Sequence, residues 1–138
     1  MRVLVTGGAG FVGRSVVLRL VESGAEVVVL DSLRPDVHPP ERPSEQLPGV
    51  RLLVGDVREA GEVARALDGV DVVVHLAAKV GLGVDLGDLD DYVSSNGLGT
   101  AVLMQEMARA GVGRLVLASS MVVYGEGAYS CPEHGSAV

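Results

Sequence analysis

The sequence predicts an α/β domain built on a doubly wound parallel sheet of about five strands in the order 3-2-1-4-5. Three observations carry this. A strand, a glycine turn and a helix start follow one another in Val5-Thr6-Gly7-Gly8-Ala9-Gly10-Phe11-Val12-Gly13. Short Val-rich runs recur along the chain, as they do in strands buried on both faces of a parallel sheet. Between the runs lie segments with apolar residues at helical spacing, and right-handed crossovers then put helices on both faces. With that order the switch point falls between the first and fourth strands, so the glycine turn and residues 76–79 line two sides of one crevice.

The first strand covers residues 2–5, and Val12, Val16, Val17, Leu20 and Val21 mark the buried face of the helix that follows. Gly7, Gly10 and Gly13 stand three apart, while Gly8, Gly10 and Gly13 satisfy the Gly-x-Gly-x-x-Gly spacing. The first glycine permits a turn closed to other residues, the middle ones let the chain touch a pyrophosphate, and Gly13 lets the helix lie close on the sheet. The N–H groups of the first helical turn then face an anion. A ligand-free structural turn is the alternative. The context of strand, turn and helix favours the dinucleotide. A second strand at residues 26–30 ends in Asp31. Its distance from Gly13 is close to the ~20 residues expected of the acid that hydrogen-bonds an adenosine ribose.

Segment 32–49 holds five of the six prolines and no sustained period, so it reads as a long loop, either a solvated excursion or a functional one. Arg34 within it could touch a ribose phosphate or face water. Residues 50–54 read as a third strand, followed by Gly55-Asp56-Val57-Arg58 and a helix over 59–67. The fourth strand, 70–75, ends in His75, read as a packed strand-end histidine, and leads into Leu76-Ala77-Ala78-Lys79, where small residues admit a ligand. After a glycine-rich loop, Asp88 or Asp90 can cap a long helix reaching Ala110. Leu89, Val93, Asn96, Gly99, Leu103, Met107 and Ala110 trace one stripe on it, which points Asn96 inward and demands partners for its amide. Leu98, Val102 and Met104 add apolar surface, either further core or a face for a partner helix, and a homodimer is compatible with the latter. A fifth strand at 114–118 runs into Ser119-Ser120-Met121-Val122-Val123-Tyr124-Gly125, and 126–138 reads as an irregular tail.

At 138 residues the chain is expected to form one domain, 1–138. A net charge of −7 with arginines scattered argues against a nucleic-acid surface. No run approaches the ~18 apolar residues of a membrane span, and Arg14, Arg19 and the early glycines interrupt the acid-free amino end. The single cysteine, Cys131, allows no intrachain disulfide, and a reducing cytoplasm is the default expectation.

Taken together, Thr6-Gly-Gly-Ala-Gly-Phe-Val-Gly13, Asp31, Gly55-Asp56-Val57, His75-Leu-Ala-Ala78, Asn96-Gly-Leu-Gly-Thr100 and Ala118-Ser-Ser-Met-Val-Val-Tyr-Gly125 resemble the NAD-dependent epimerase/dehydratase family. These are extended short-chain dehydrogenases/reductases that act on nucleotide sugars. The resemblance covers residues 1–126. It implies NAD as cofactor, with Gly7, Gly10, Phe11, Val12 and Gly13 around the pyrophosphate, Asp31 on the adenosine ribose, and Asp56 and Val57 beside the adenine. Leu76, Ala77, Ala78 and Asn96 would line the nicotinamide side. Ser120 falls where the family has its catalytic Ser or Thr, and a nucleotide sugar is the implied substrate. The family's Tyr-x-x-x-Lys pair has no counterpart in this sequence. Tyr92, Tyr124 and Tyr129 are followed four residues later by Asn96, Ala128 and Glu133, and Lys79 is the only lysine. The pair and the family's substrate lobe are expected beyond Val138. Cys131 and His134 have the spacing of half a zinc site, for which a plain loop is the favoured reading and no metal is assigned. The rival to the enzyme is a non-catalytic dinucleotide-binding regulator with the same fold.

Overall fold

The structure, a computed structural model, describes residues 1–38, 49–81, 86–125, 127, 129–133 and 135–137. Five parallel strands form the sheet in the order β3-β2-β1-β4-β5: β1 Arg2–Thr6, β2 Glu26–Asp31, β3 Val50–Val54, β4 Val72–His75 and β5 Leu115–Leu117. The predicted order and class are those observed. Helix α1, Phe11–Glu22, connects β1 to β2, and α2, Ala60–Ala66, connects β3 to β4. The period-2 alternation of the strands sorts the core into two layers. Val3, Val5, Val27 and Val29 pack with Val17 of α1 on one face. Leu4, Val28, Leu30 and Val73 pack with Val63, Leu67, Leu103 and Met107 on the other.

Three expectations are corrected. Burial on both faces holds for β1 and β2, but the edge strands are half open: Val54 is 64% exposed and Val116 56%. Only α1 covers its face of the sheet among the described residues, which leaves β5 uncovered there. The long helix is four consecutive pieces: a 3₁₀ turn at Leu86–Asp88, α3 at Leu89–Tyr92, a π-helical segment at Val93–Leu98, and α4 at Gly99–Ala110. Asp88 stands at the N-cap of α3 without a side-chain capping bond. Its apolar stripe is buried only at Gly99, Leu103 and Met107, and Leu89, Val93, Asn96 and Ala110 are exposed. The reason is axial position, since Thr100 is level with the end of β4 and the earlier turns extend past the sheet's carboxyl edge. The tail, finally, is not wholly irregular: β6, Tyr129–Cys131, pairs antiparallel with β7, Gly135–Ala137. Strands of three residues are too short to display a period, and Gly135 at φ +76° begins the return strand. Most of the proline-rich loop (39–48) and His134 lie outside the described residues.

One polar chain ties these layers together at the level of the crevice. The Ala77 N–H donates to Thr6 Oγ1 at 3.3 Å. Thr6 Oγ1 and His75 Nδ1 are 2.6 Å apart, and His75 Nε2 is 3.0 Å from Thr100 Oγ1. Thr100 Oγ1 in turn donates to the Asn96 carbonyl at 2.6 Å. A hydroxyl has one proton, so Thr100 must accept from His75 Nε2–H, and Nδ1 is left to accept from Thr6. The directed chain assigns His75 one tautomer and leaves every buried polar atom in it partnered. Burial pushes the imidazole pKa below 6.5. As pH falls below 6.5, the unfolded chain takes up the proton before the folded one does, so stability declines until the lowered pKa has been passed; above 6.5 the contribution is fully present. The urea midpoint should therefore fall between pH 7.5 and 5.5, and less so in a His75→Gln variant. Thr100→Val, which orphans Nε2–H, should cost about 1–3 kcal/mol at neutral pH.

Candidate functional site

The carboxyl ends of β1 and β4 diverge into a cleft of about 420 Å³. Its first wall is the glycine turn. Gly7 adopts φ +70°, its N–H bonds to the Leu30 carbonyl at 2.9 Å, and a Cβ there would stand 2.7 Å from the Ala77 nitrogen. A Cβ on Gly13 would fall 2.1 Å from the Gly7 oxygen. Gly10 is different. The nearest atom to a Cβ on it is the Gly7 oxygen at 3.3 Å, and no strained dihedral is involved. Gly8 has a core role, because its Cβ would meet Val29 at 2.7 Å, so only Gly10 of the middle pair fronts the cleft. Phe11, Val12 and Gly13 also line the cleft, and as the first turn of α1 their N–H groups have no intrahelical acceptor.

Asp31 ends β2 at 8% exposure. Its carboxylate accepts from the Ala9 N–H and the Leu33 N–H, each at 3.0 Å, so it braces both the glycine turn and the loop that follows β2. Leu33 is held at φ +49°, and the backbone then turns over Arg34, whose carbonyl accepts from the Val37 and His38 N–H groups. The turn brings His38 Nε2 to 3.6 Å from Asp31. Asp56 and Val57 form another part of the wall, with Val57 buried and Asp56 paired to Arg58 at 2.6 Å, which holds the Asp56 pKa down. Leu76, Ala77 and Ala78 close the opposite side, anchored by the Leu76 N–H to the Thr6 carbonyl at 3.1 Å.

Eleven of the sequence-predicted residues thus meet at one cleft, and two do not line it. Asn96 is exposed rather than inward-pointing. Its amide accepts from the Lys79 N–H at 2.8 Å and donates to the Lys79 carbonyl at 3.0 Å, reading that backbone at both ends. It therefore shapes the wall after β4 without facing the space inside. Ser120 is exposed, beyond the end of β5, with its carbonyl accepting from the Val123 N–H at 3.3 Å.

The sequence reading passed over a charged cluster at the cleft. Arg34 donates to both carboxylate oxygens of Asp91 at 2.8 Å and, through Nε, to Asp36 at 3.1 Å. Lys79 Nζ lies 3.3 Å from Asp36 and 3.5 Å from Asp91, and Ser95 Oγ donates to Asp91 at 3.1 Å. The Arg34 guanidinium holds the Asp91 pKa far below the usual carboxylate range, and Asp91, then Asp36, raise that of Arg34. Arg34 and Lys79 were visible as single residues. Asp91 was not singled out, because 57 positions separate it from Arg34.

The family model for the NAD dependent epimerase/dehydratase family matches residues 3–137. Among characterised relatives, the dTDP-L-rhamnose 4-epimerase of Burkholderia thailandensis is 35% identical over 93% of this chain and 37% of its own length. The UDP-glucose 4-epimerase of Neisseria meningitidis serogroup C is 36% identical over 91% of this chain and 38% of its own. Among solved structures, UDP-glucose 4-epimerase from Stenotrophomonas maltophila, with bound NAD and formylated UDP-arabinopyranose, superposes with a TM-score of 0.80 at 34% identity, over 96% of this chain and 40% of that one. The Bifidobacterium longum enzyme, in complex with NAD+ and UDP, gives 0.76 at 32% identity, over 91% and 38%. The chain spans well under half the length of these relatives. Since the family match runs through nearly all of its residues, the chain belongs to the NAD dependent epimerase/dehydratase family.

Proposed function

We propose that this chain is the NAD-binding part of a nucleotide-sugar epimerase or dehydratase that oxidises a sugar hydroxyl and afterwards returns the electron pair to the keto sugar. The observation that carries the reading is the cleft itself: a glycine turn with no room for side chains at Gly7 and Gly13, opposite a buried carboxylate at the end of β2. The cofactor fits the residues present. Gly10 leaves space where a diphosphate would approach the first turn of α1, and Asp31 has acceptor capacity beyond its two backbone bonds. Asp56 and Val57 would flank the adenine, and Leu76, Ala77 and Ala78 the nicotinamide. When bound, NAD supplies the two-electron acceptor and donor. The chain's own work is to orient that ring, to exclude water with the apolar wall after β4, and to place a substrate oxygen near Ser120. A hydroxyl of ordinary acidity cannot take the proton of the oxidised alcohol, and this sequence has no Tyr-x-x-x-Lys pair to do so.

Three outcomes test the reading. Gly10→Val should abolish NAD binding by calorimetry while the melting temperature stays within about 5 °C of native, because its side chain enters the space of the diphosphate and its nearest protein contact, the Gly7 oxygen at 3.3 Å, has only to give by a few tenths of an ångström. Gly13→Ala should fail to fold, since its methyl would stand 2.1 Å from the Gly7 oxygen. Native affinity in the Gly10 variant would remove the glycine turn from the site. Supplied with NAD and UDP-glucose, the 138-residue chain should show no epimer formation, as general-base loss alone costs on the order of 10² to 10⁴ in rate. Turnover matching intact relatives would show that Ser120 and the cleft suffice.

A further inference from the structure

The cleft carries both marks by which this fold chooses its cofactor: an acid at the end of β2, which suits the ribose of NAD, and an arginine just after it, which in other members of the fold accommodates the 2′-phosphate of NADP. Asp31 and Arg34 are three residues apart and line the same cleft. Taken by itself, Arg34 should weaken the discrimination that Asp31 imposes.

We infer that Asp36 and Asp91 are specificity-determining residues that exclude NADP by holding Arg34 and Lys79 away from a 2′-phosphate. All three guanidinium nitrogens of Arg34 are engaged: Nη1 and Nη2 fork onto Asp91 at 2.8 Å, and Nε donates to Asp36 at 3.1 Å. A bidentate arginine–carboxylate pair is the same geometry that a phosphate would require, so the two are exclusive. Lys79, the other cation on this side, is shared by the same two carboxylates at 3.3 and 3.5 Å. Arg58 does not substitute, since Asp56 takes its Nη2 at 2.6 Å and Asp91 lies 3.8 Å from Nη1. Three carboxylates that line the cleft, Asp31, Asp36 and Asp56, face three cations, Arg34, Arg58 and Lys79, and Asp91, paired to Arg34 and within 3.8 Å of Arg58, adds a fourth negative charge behind them. An incoming phosphate dianion would meet an excess of like charge with its natural partners already taken. Because Asp91 belongs to α3 and Arg34 to the loop after β2, the discrimination is built across the cleft, 57 positions apart in sequence.

The inference rests on the cleft being the NAD site, and one calorimetric series separates the two. Native chain, Asp36→Asn/Asp91→Asn, Arg34→Ala, and the triple combination are each titrated with NAD and with NADP. Asparagine keeps the shape of each carboxylate while removing its charge. The native chain should bind NAD at least tenfold more tightly than NADP. The Asn pair should move that ratio by about tenfold or more toward NADP, the worth of one freed charge-assisted contact. Adding Arg34→Ala should cancel the gain, and Arg34→Ala alone should not raise NADP affinity, because it bares Asp36 and Asp91 to the phosphate. An unaltered ratio in the Asn pair, or a gain toward NADP that survives in the triple combination, overturns the inference while leaving the NAD site standing. Failure of the native chain to bind NAD overturns both.

Discussion

Three stretches of backbone meet at the top of this sheet with no side chain between them, and the rest of the site depends on that contact. The Gly7 carbonyl occupies the space of a Gly13 side chain, and the Ala77 nitrogen that of a Gly7 side chain. The end of β1, the start of α1 and the exit from β4 are thereby fixed relative to one another more tightly than any methyl group allows. A crevice between parallel strands is a consequence of topology; its width here is a consequence of two missing Cβ atoms, those of Gly7 and Gly13. Close packing makes such contacts stiff, which would suit the proposed diphosphate site, because backbone N–H groups cannot adjust.

Around that rigid centre the polar groups are arranged to be used up. Asp31 braces two backbone N–H groups, Asn96 braces the Lys79 peptide, and the cations near the mouth are matched to carboxylates. Because these ion pairs are only partly shielded from water, their value lies less in stability than in what they prevent. A surface with spare positive charge would attract any phosphate. A neutralised one selects by the few groups left to bond, which at this cleft are the first turn of α1 and the remaining acceptor capacity of Asp31.

The sheet order, the glycine turn and the small residues after β4 were legible in the sequence because each is dictated locally, by a period, a spacing or a steric demand. The position of Asp31 was legible for the same reason, as the acid that ends β2 stands at a fixed distance beyond the last glycine. Gly8 was misassigned because spacing cannot tell which side of a turn faces the core; only Val29 beneath it decides that. Asn96 was placed on a buried stripe that a uniform helical period predicts, but a period does not tell how far along its axis a helix stays over the sheet, and the turns before Gly99 extend past the sheet's carboxyl edge. The pairing of Arg34 with Asp91 and of His75 with Thr100 lay beyond reach, since contacts across 57 and 25 positions leave no local pattern.

The π segment is also where the core and the cleft are joined. Its wider turn inserts an extra residue at Val93–Leu98, a distortion that regular helices avoid and that recurs at functional sites. Within it, the Asn96 backbone carbonyl receives the Thr100 hydroxyl at the end of the chain from Thr6 and His75, while the Asn96 side chain clasps Lys79. One residue thus carries the position of the buried strand ends out to the segment that lines the cleft and bears the lysine of the charged cluster. The distortion stands where the fold must pass its geometry to the site.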